Sequence, residues 1–320
     1  MYRTIHLLGP LLALALPLTA CTSSPEGPLR KIGRVKVGIA YAVALDGSYA
    51  YVTNNDGVVL IDVSNPAEPS RTAMLELEDG AFGIAVAGNI AYISADSEGF
   101  VTADISDPQN PRRIGQYKPG GSMSNIAMGG NRVFVNCNYR TVHILDVEDP
   151  AEPKLLGQFE PGGRVMGLAC RGSLLYLADT GKGLQVFDVS DPAAPDLLKT
   201  VPGTEMAWSI EIRDDLLFLT RHAAGVSVLD ISDPRDPRVL STFSDGGEIY
   251  GVSADAALLY AGDLQQGPEV LDISDPRNPR KVASAVGYGA HGLVHRGRHL
   301  FVPTGSHGFV IFEYAPESDE

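Results

Sequence analysis

Three cysteines in 320 residues rule out a disulfide-built scaffold. There is no Cys-x-x-Cys pair, no phosphate loop, no dinucleotide fingerprint and no serine elbow. Thiolate metal centres and nucleotide chemistry therefore have no starting point, and no cofactor is expected. Basic residues are also few: 25 Lys and Arg against 39 Asp and Glu give a net charge of −14, which argues against a nucleic-acid partner. Long apolar runs are missing. The longest, Leu7 to Leu18, is about a dozen residues, too short for a bilayer core but suited to the apolar region of a secretory signal that begins with Arg3. Aromatics make up 7% of the chain and include one tryptophan.

What is present is repetition. The phrase Asp62-Val-Ser-Asn-Pro-Ala-Glu-Pro69 returns at Asp104, Asp146, Asp188, Asp230 and Asp272, at a constant spacing of 42 residues. One supersecondary unit is thus tiled along the chain. Glycine (35) and proline (22) are abundant, as turn-rich all-β chains require. Residues 122–159 show one unit: a strand over Ser122–Met128, a Gly129-Gly130-Asn131 turn, a strand over Arg132–Val135, a loop, a strand over Thr141–Asp146, the Asp-Pro turn, and a strand over Lys154–Phe159. Four antiparallel strands per period of this length predict a propeller blade. The unit after Gly287 has only three strands, whereas Arg30-Lys-Ile-Gly-Arg-Val35 matches the fourth strand Arg112-Arg-Ile-Gly-Gln-Tyr117. The fold class is therefore an all-β, seven-bladed propeller whose amino-terminal strand completes the last blade, leaving no open edge. A monomeric ring is expected.

Much of the acidity belongs to this architecture. Eleven of the 39 acids are Asp residues of the repeated phrase, where a carboxylate accepts backbone N–H groups and the following proline fixes φ. Cys137 and Cys170 fall in neighbouring repeats, roughly 14 Å apart at about 3.3 Å per strand residue. That is beyond the reach of a disulfide, so two free thiols are expected.

Leu18-Thr-Ala-Cys21 resembles the bacterial lipobox. The resemblance implies cleavage before Cys21, lipid on its sulfur and new amino terminus, and attachment to a membrane without spanning it. Residue 22 is not Asp, which by the lipoprotein sorting rule resembles an outer-membrane resident; a periplasmic or surface-exposed face stays open. The expected plan is a signal peptide at 1–20, a tether at 21–28, a propeller at 29–314 and an acidic tail at 315–320. The hydrophobic triplet before Asp, followed by Ser-Asp-Pro-x-x-Pro as in Val228-Leu-Asp-Ile-Ser-Asp-Pro-Arg-Asp-Pro237, resembles the LVIVD-repeat family of secreted and surface proteins, over essentially the whole mature chain. Tyr51-Val-Thr-Asn54 echoes the related YVTN propellers. The resemblance implies a fold and no common activity.

Chemistry is expected where the repeat varies. Aligned at the start of the first strand, the blades carry Tyr41, Phe82, Ser124, Met166, Trp208, Tyr250 and His291, followed by Ala42, Gly83, Asn125, Gly167, Ser209, Gly251 and Gly292. Four of the first seven are aromatic. The loops after the second strands differ from blade to blade and hold Asn54-Asn-Asp56, Asp96, Asn138-Tyr-Arg140, Asp179, Lys182, Arg221-His222, Asp263, Gln265-Gln266 and Ser306-His307. Diverging loops on a constant scaffold are where binding usually resides. The candidate ligand-binding residues at this channel mouth are Tyr41, Phe82, Trp208, Tyr250, His291, Arg221, His222 and His307, suited to an envelope protein or glycan. Ring packing between blades explains the same aromatics equally well. An enzymatic alternative, a polysaccharide lyase or hydrolase, would use His291, Tyr250 and His222 as acid and base with Arg221 neutralising an acidic substrate. Glu211 interrupts a column of Ala44, Ala85, Ala127 and Ala169, and a salt bridge is its expected explanation. His295-Arg-Gly-Arg-His299 spans a turn on the opposite face, and no metal site is predicted.

Overall fold

A computed structural model describes residues 27–316. The expected signal segment, the expected lipidation site Cys21, the expected tether as far as residue 26 and the end of the expected acidic tail lie outside the described residues. The strands form seven four-stranded antiparallel sheets in a ring. First strands run Ala40–Asp46, Ala81–Ala87, Met123–Gly129, Val165–Arg171, Ile210–Arg213, Ile249–Ala254 and Val294–Arg296, here called blades one to seven. In blade three the first strand starts and ends one residue later than the sequence pattern suggested, and the second extends to Cys137. Leu29–Val35 pairs antiparallel with Phe309–Tyr314 as the outermost strand of blade seven. Arg30 fixes that register from the side, donating to Glu313 at 3.0 and 2.5 Å.

The repeated phrase forms a double Asx turn. The first carboxylate accepts the N–H two residues on, at 2.8–2.9 Å, in all six copies. The second Asp or Asn repeats the pattern. Ser106 hydrogen bonds and Arg112 hold the Asp104 carboxyl down at about 2, and Ser190 with Arg235 does the same for Asp188. The turn also locks the blades together. Gly33, Gly115 and Gly157 of outer strands lie against the carbonyl oxygens of Pro66, Pro150 and Pro192 in the next blade's turn, where a Cβ would overlap the oxygen. Where the outer strand has a hydroxyl instead, it bonds: Ser241 Oγ donates to Pro276 O at 2.6 Å.

The core lies between blades, so both faces of each sheet are apolar. One aromatic per second strand recurs around the ring as Tyr51, Tyr92, Phe134, Tyr176, Phe218, Tyr260 and Phe301, all buried. Phe301, Phe309 and Ile311 of blade seven pack on Val52, Val59 and Ile61 of blade one, so ring closure is hydrophobic as well as hydrogen-bonded. Among the described residues Cys137 and Cys170 are both free. They face Gly121 and Gly129, at opposite ends of the first strand of blade three. That places them about 20 Å apart rather than 14 Å. Burial raises the pKa of both thiols, that of Cys170 to about 11.

Candidate functional site

The first strands line a central channel whose mouth is a cavity of about 480 Å³, with wall residues from all seven blades. The seven aligned positions, Tyr41 to His291, all line it. Their placement has a local cause. In blades one, two, three, four and six the ladder slips at this position, for example between Ala81↔Ala95 and Gly83↔Ser94. The crown residue is the extra residue of a β-bulge, which leaves it out of the ladder and turns it toward the mouth. In blades five and seven Trp208 and His291 precede the strand instead of opening it. Their N–H groups still reach Thr220 O at 2.9 Å and Pro303 O at 3.4 Å.

A second device holds the crown and escaped the sequence reading. The Thr53 hydroxyl accepts the Ala42 N–H at 2.9 Å, Ser94 accepts that of Gly83 at 2.9 Å, and Thr220 accepts that of Ser209 at 2.9 Å. Each hydroxyl also reaches the crown carbonyl of the next blade, Phe82 O, Ser124 O and Tyr250 O respectively. Asn136 plays a similar part in blade three, accepting from Asn125 and donating to the carbonyl just before the next crown residue, Val165 O, at 2.7 Å. The signal was available as a small polar residue two places after the second-strand aromatic. Also unforeseen is an aliphatic collar two residues past the crown, formed by Val43, Ile84, Ile126, Leu168, Ile210, Val252 and Leu293.

The aromatics fall into two groups. Tyr41 and Phe82 touch at 5.2 Å between centroids. Opposite them, Trp208 meets Tyr250 edge-on at 5.1 Å, and Tyr250 meets His291 at 6.2 Å. Tyr41, Phe82, Trp208 and Tyr250 are half-buried and His291 is exposed, whereas Ser124 and Met166 are buried. His222, in the left-handed region at φ 52°, sits behind the wall against Trp208 (4.3 Å) and Tyr250 (4.4 Å), with Nε2 buried and unpartnered. Desolvation lowers the pKa of His222 and of His291, so both imidazoles favour the neutral form.

Arg221 and His307 are not part of the wall. The Arg221 side chain turns outward to Glu205 O (3.0 Å) and Ser227 Oγ (3.2 Å). His307 lies at the outer rim beside Tyr288. The loop carboxylates Asp179 and Asp263 are fully buried, and their Oδ1 atoms cap the turns at residues 181–182 and 265–266. Tyr139 does line the mouth, carried by two successive left-handed residues, Asn138 and Tyr139. Glu211 lines the channel below the crown. Among the described residues it has no ion-pair partner within 4 Å, so the expected salt bridge is not formed. Burial raises its pKa to about 7, opposed by the positive charge of Arg213 and by the Ala254 N–H.

The LVIVD repeat pattern matches residues 37–73, 80–118, 120–160 and 162–202, which are blades one to four. No curated protein matches the sequence. Among solved structures, the chain is similar to the Myceliophteria thermophila Cps50 (Swd1) β-propeller domain, with a TM-score of 0.73 and 11% identity over 89% of this chain and 99% of that one. It is also similar to U3-55K (TM-score 0.74, 12% identity, 89% and 98% covered). The RRP9 WD40 repeats give a TM-score of 0.73 at 12% identity, with 89% and 97% covered. At these identities the likeness is one of fold alone.

Proposed function

This chain is an LVIVD-repeat β-propeller, and from that premise we propose that it is a protein-interaction module, held at the bacterial outer membrane by lipid on Cys21, that binds through its channel-mouth face. The observation that carries the reading is the two half-buried aromatic groups, Tyr41 with Phe82 and Trp208 with Tyr250, on opposite sides of the 480 Å³ cavity. Aromatics of this kind, rigid and partly desolvated in advance, supply most of the energy at protein interfaces. The regular residues of the repeat are absorbed by turns, locks and core, so the variable mouth is the surface left for recognition. Propellers related by fold alone include WD40 repeats, which fits a binding scaffold.

Crosslinking the full lipoprotein in native membranes, beside a Trp208→Ala/Tyr250→Ala form, tests this. A stoichiometric partner captured by the parent and lost from the double variant is the expected result. Equal capture by both would refute the mouth as the interface. Cys21→Ser is expected to move the protein from the membrane to the soluble fraction. The enzymatic alternative now draws on Tyr250 and His291 without Arg221, which is engaged elsewhere. It requires His291→Ala or Tyr250→Phe to abolish turnover of an envelope glycan or peptide while melting is unchanged.

A further inference from the structure

The charge inside the mouth is one-sided. Among the described residues no lysine or arginine lines the cavity, and its one carboxylate is Glu211. Blades one to four have alanine at that place, so the fold does not need an acid there. Glu211 points toward the first strand of blade six. The Asp255 N–H bonds to Leu258 O. In an antiparallel ladder the adjacent N–H, that of Ala254, then faces away from its own blade and into the channel. It is this free edge that the Glu211 carboxylate meets. One backbone donor leaves most of the carboxylate's capacity unused.

Above Glu211 the wall changes in a fixed order. Next comes the aliphatic collar, which includes Ile210 and Val252, and then Trp208 and Tyr250 at the rim. Trp208 and Glu211 are three residues apart on an extended chain, roughly 10 Å. An aromatic rim, an apolar sleeve and, at the bottom, a carboxylate without an ion pair, with the Arg213 charge near it but off the cavity wall, match one ligand chemistry. We propose that the channel mouth takes an alkylammonium group, with its cation passing the π faces of Trp208 and Tyr250 to pair with Glu211 and its aliphatic stem held by the collar. Aromatic faces attract such cations, and a carboxylate in a partly dehydrated site pairs with them strongly. The protein's overall negative charge draws them in. This inference rests on the mouth being a binding site and names what enters it: a lysine side chain of the partner or a free alkylamine.

Trp208 is the only tryptophan in the chain, so its fluorescence reports the site directly. The full-length protein in detergent would be titrated with hexamethylenediamine and with neutral hexanediol. The expected result is a saturable change in Trp208 emission with the diamine and binding at least about tenfold weaker for the diol, the size of one charge-assisted hydrogen bond. Glu211→Gln should lose about the same factor for the diamine and nothing for the diol, with an unchanged circular dichroism spectrum. Equal affinity for diamine and diol, or an unaltered diamine affinity in Glu211→Gln, would overturn the proposal. N-acetyl-lysine methylamide binding more tightly than the diamine assigns the site to a partner's side chain; the reverse assigns it to a free amine. If no amine binds and Trp208→Ala/Tyr250→Ala still loses its partner, the alkylammonium inference fails and the interface stands. If the diamine binds and the partner is retained, the interface fails and the amine site stands.

Discussion

Blades one to four and blades five to seven are built from the same strand order, yet they differ in regularity and in chemistry. In the first group the opening strand is seven residues long in every blade. In the second it shrinks to four in blade five and three in blade seven. The repeat pattern matches the first group. The second group carries Trp208, Glu211, His222, Tyr250 and His291, together with the left-handed residues Met206, Asp214 and His222, against Asn138 and Tyr139 in the first. Shorter ladders leave more backbone to be placed by specific contacts, and that freedom lets the wall of the mouth hold side chains that a strict repeat would exclude. A regular half supplies the frame and one aromatic pair, Tyr41 and Phe82, and an irregular half supplies Trp208, Tyr250, His291 and the one carboxylate of the mouth.

The sharpest way to break this contrast is to alter one glycine in each half. Gly157 in blade three touches the Pro192 carbonyl of the next blade, whereas nothing lies within 4 Å of a Cβ added at Gly292 in blade seven. Gly157→Val should cost about 3 kcal/mol in urea unfolding and lower the melting temperature by roughly 6 °C. Gly292→Ala should stay within about 0.5 kcal/mol of the parent. Comparable losses in both would mean that contact with the next blade's turn is not what makes a glycine of the frame costly to replace.

Next in size is the stitch between crowns. Thr220→Val keeps the shape of a buried side chain but strands the Ser209 N–H in a half-buried position. We expect a loss of about 2 kcal/mol, read by urea unfolding. An unchanged midpoint would show that water replaces the hydroxyl there.

The smallest effect is the pH signature of Glu211. Its folded pKa, near 7, lies above the ordinary glutamate value of 4.5 because burial penalises the charge. The folded state therefore binds more protons than the unfolded chain between those values, and stability falls as pH rises from about 4.5 to 7. Glu269, also raised to about 7 chiefly by burial, adds a parallel slope of its own. Glu211→Gln should match the parent near pH 4 and exceed it at pH 8, leaving the Glu269 slope in place. A parallel pair of stability-versus-pH curves would mean that Glu211 is solvated in the channel.

The repeat made the fold legible because each phrase element has one job set by local physics. Asp62 and its five counterparts cap their own turns within two residues, so sequence alone reports them. The crown alignment was legible for the same reason, since a fixed period puts equivalent residues at equivalent places around a ring. Side-chain direction was not legible. Arg221 and His222 are adjacent in sequence, yet one turns outward to Ser227 and the other packs behind Trp208. The loop acids Asp179 and Asp263 look like surface groups in sequence and are buried turn caps in the fold. Glu211 stood out in sequence, but the salt bridge anticipated for it is not formed among the described residues.

Period, turn chemistry and strand alternation act over a few residues or repeat identically, so the chain by itself determined seven blades, four strands in each, and closure by its own amino-terminal strand. The composition of the mouth was set by contacts between blades far apart in sequence: a bulge that frees Phe82, a hydroxyl on Thr53 that reaches it from the preceding blade, and the Ala254 edge that meets Glu211. Those contacts depend on the ring angle and on neighbouring side-chain volumes, and only the tertiary structure decides them, because no local rule carries information across a blade interface.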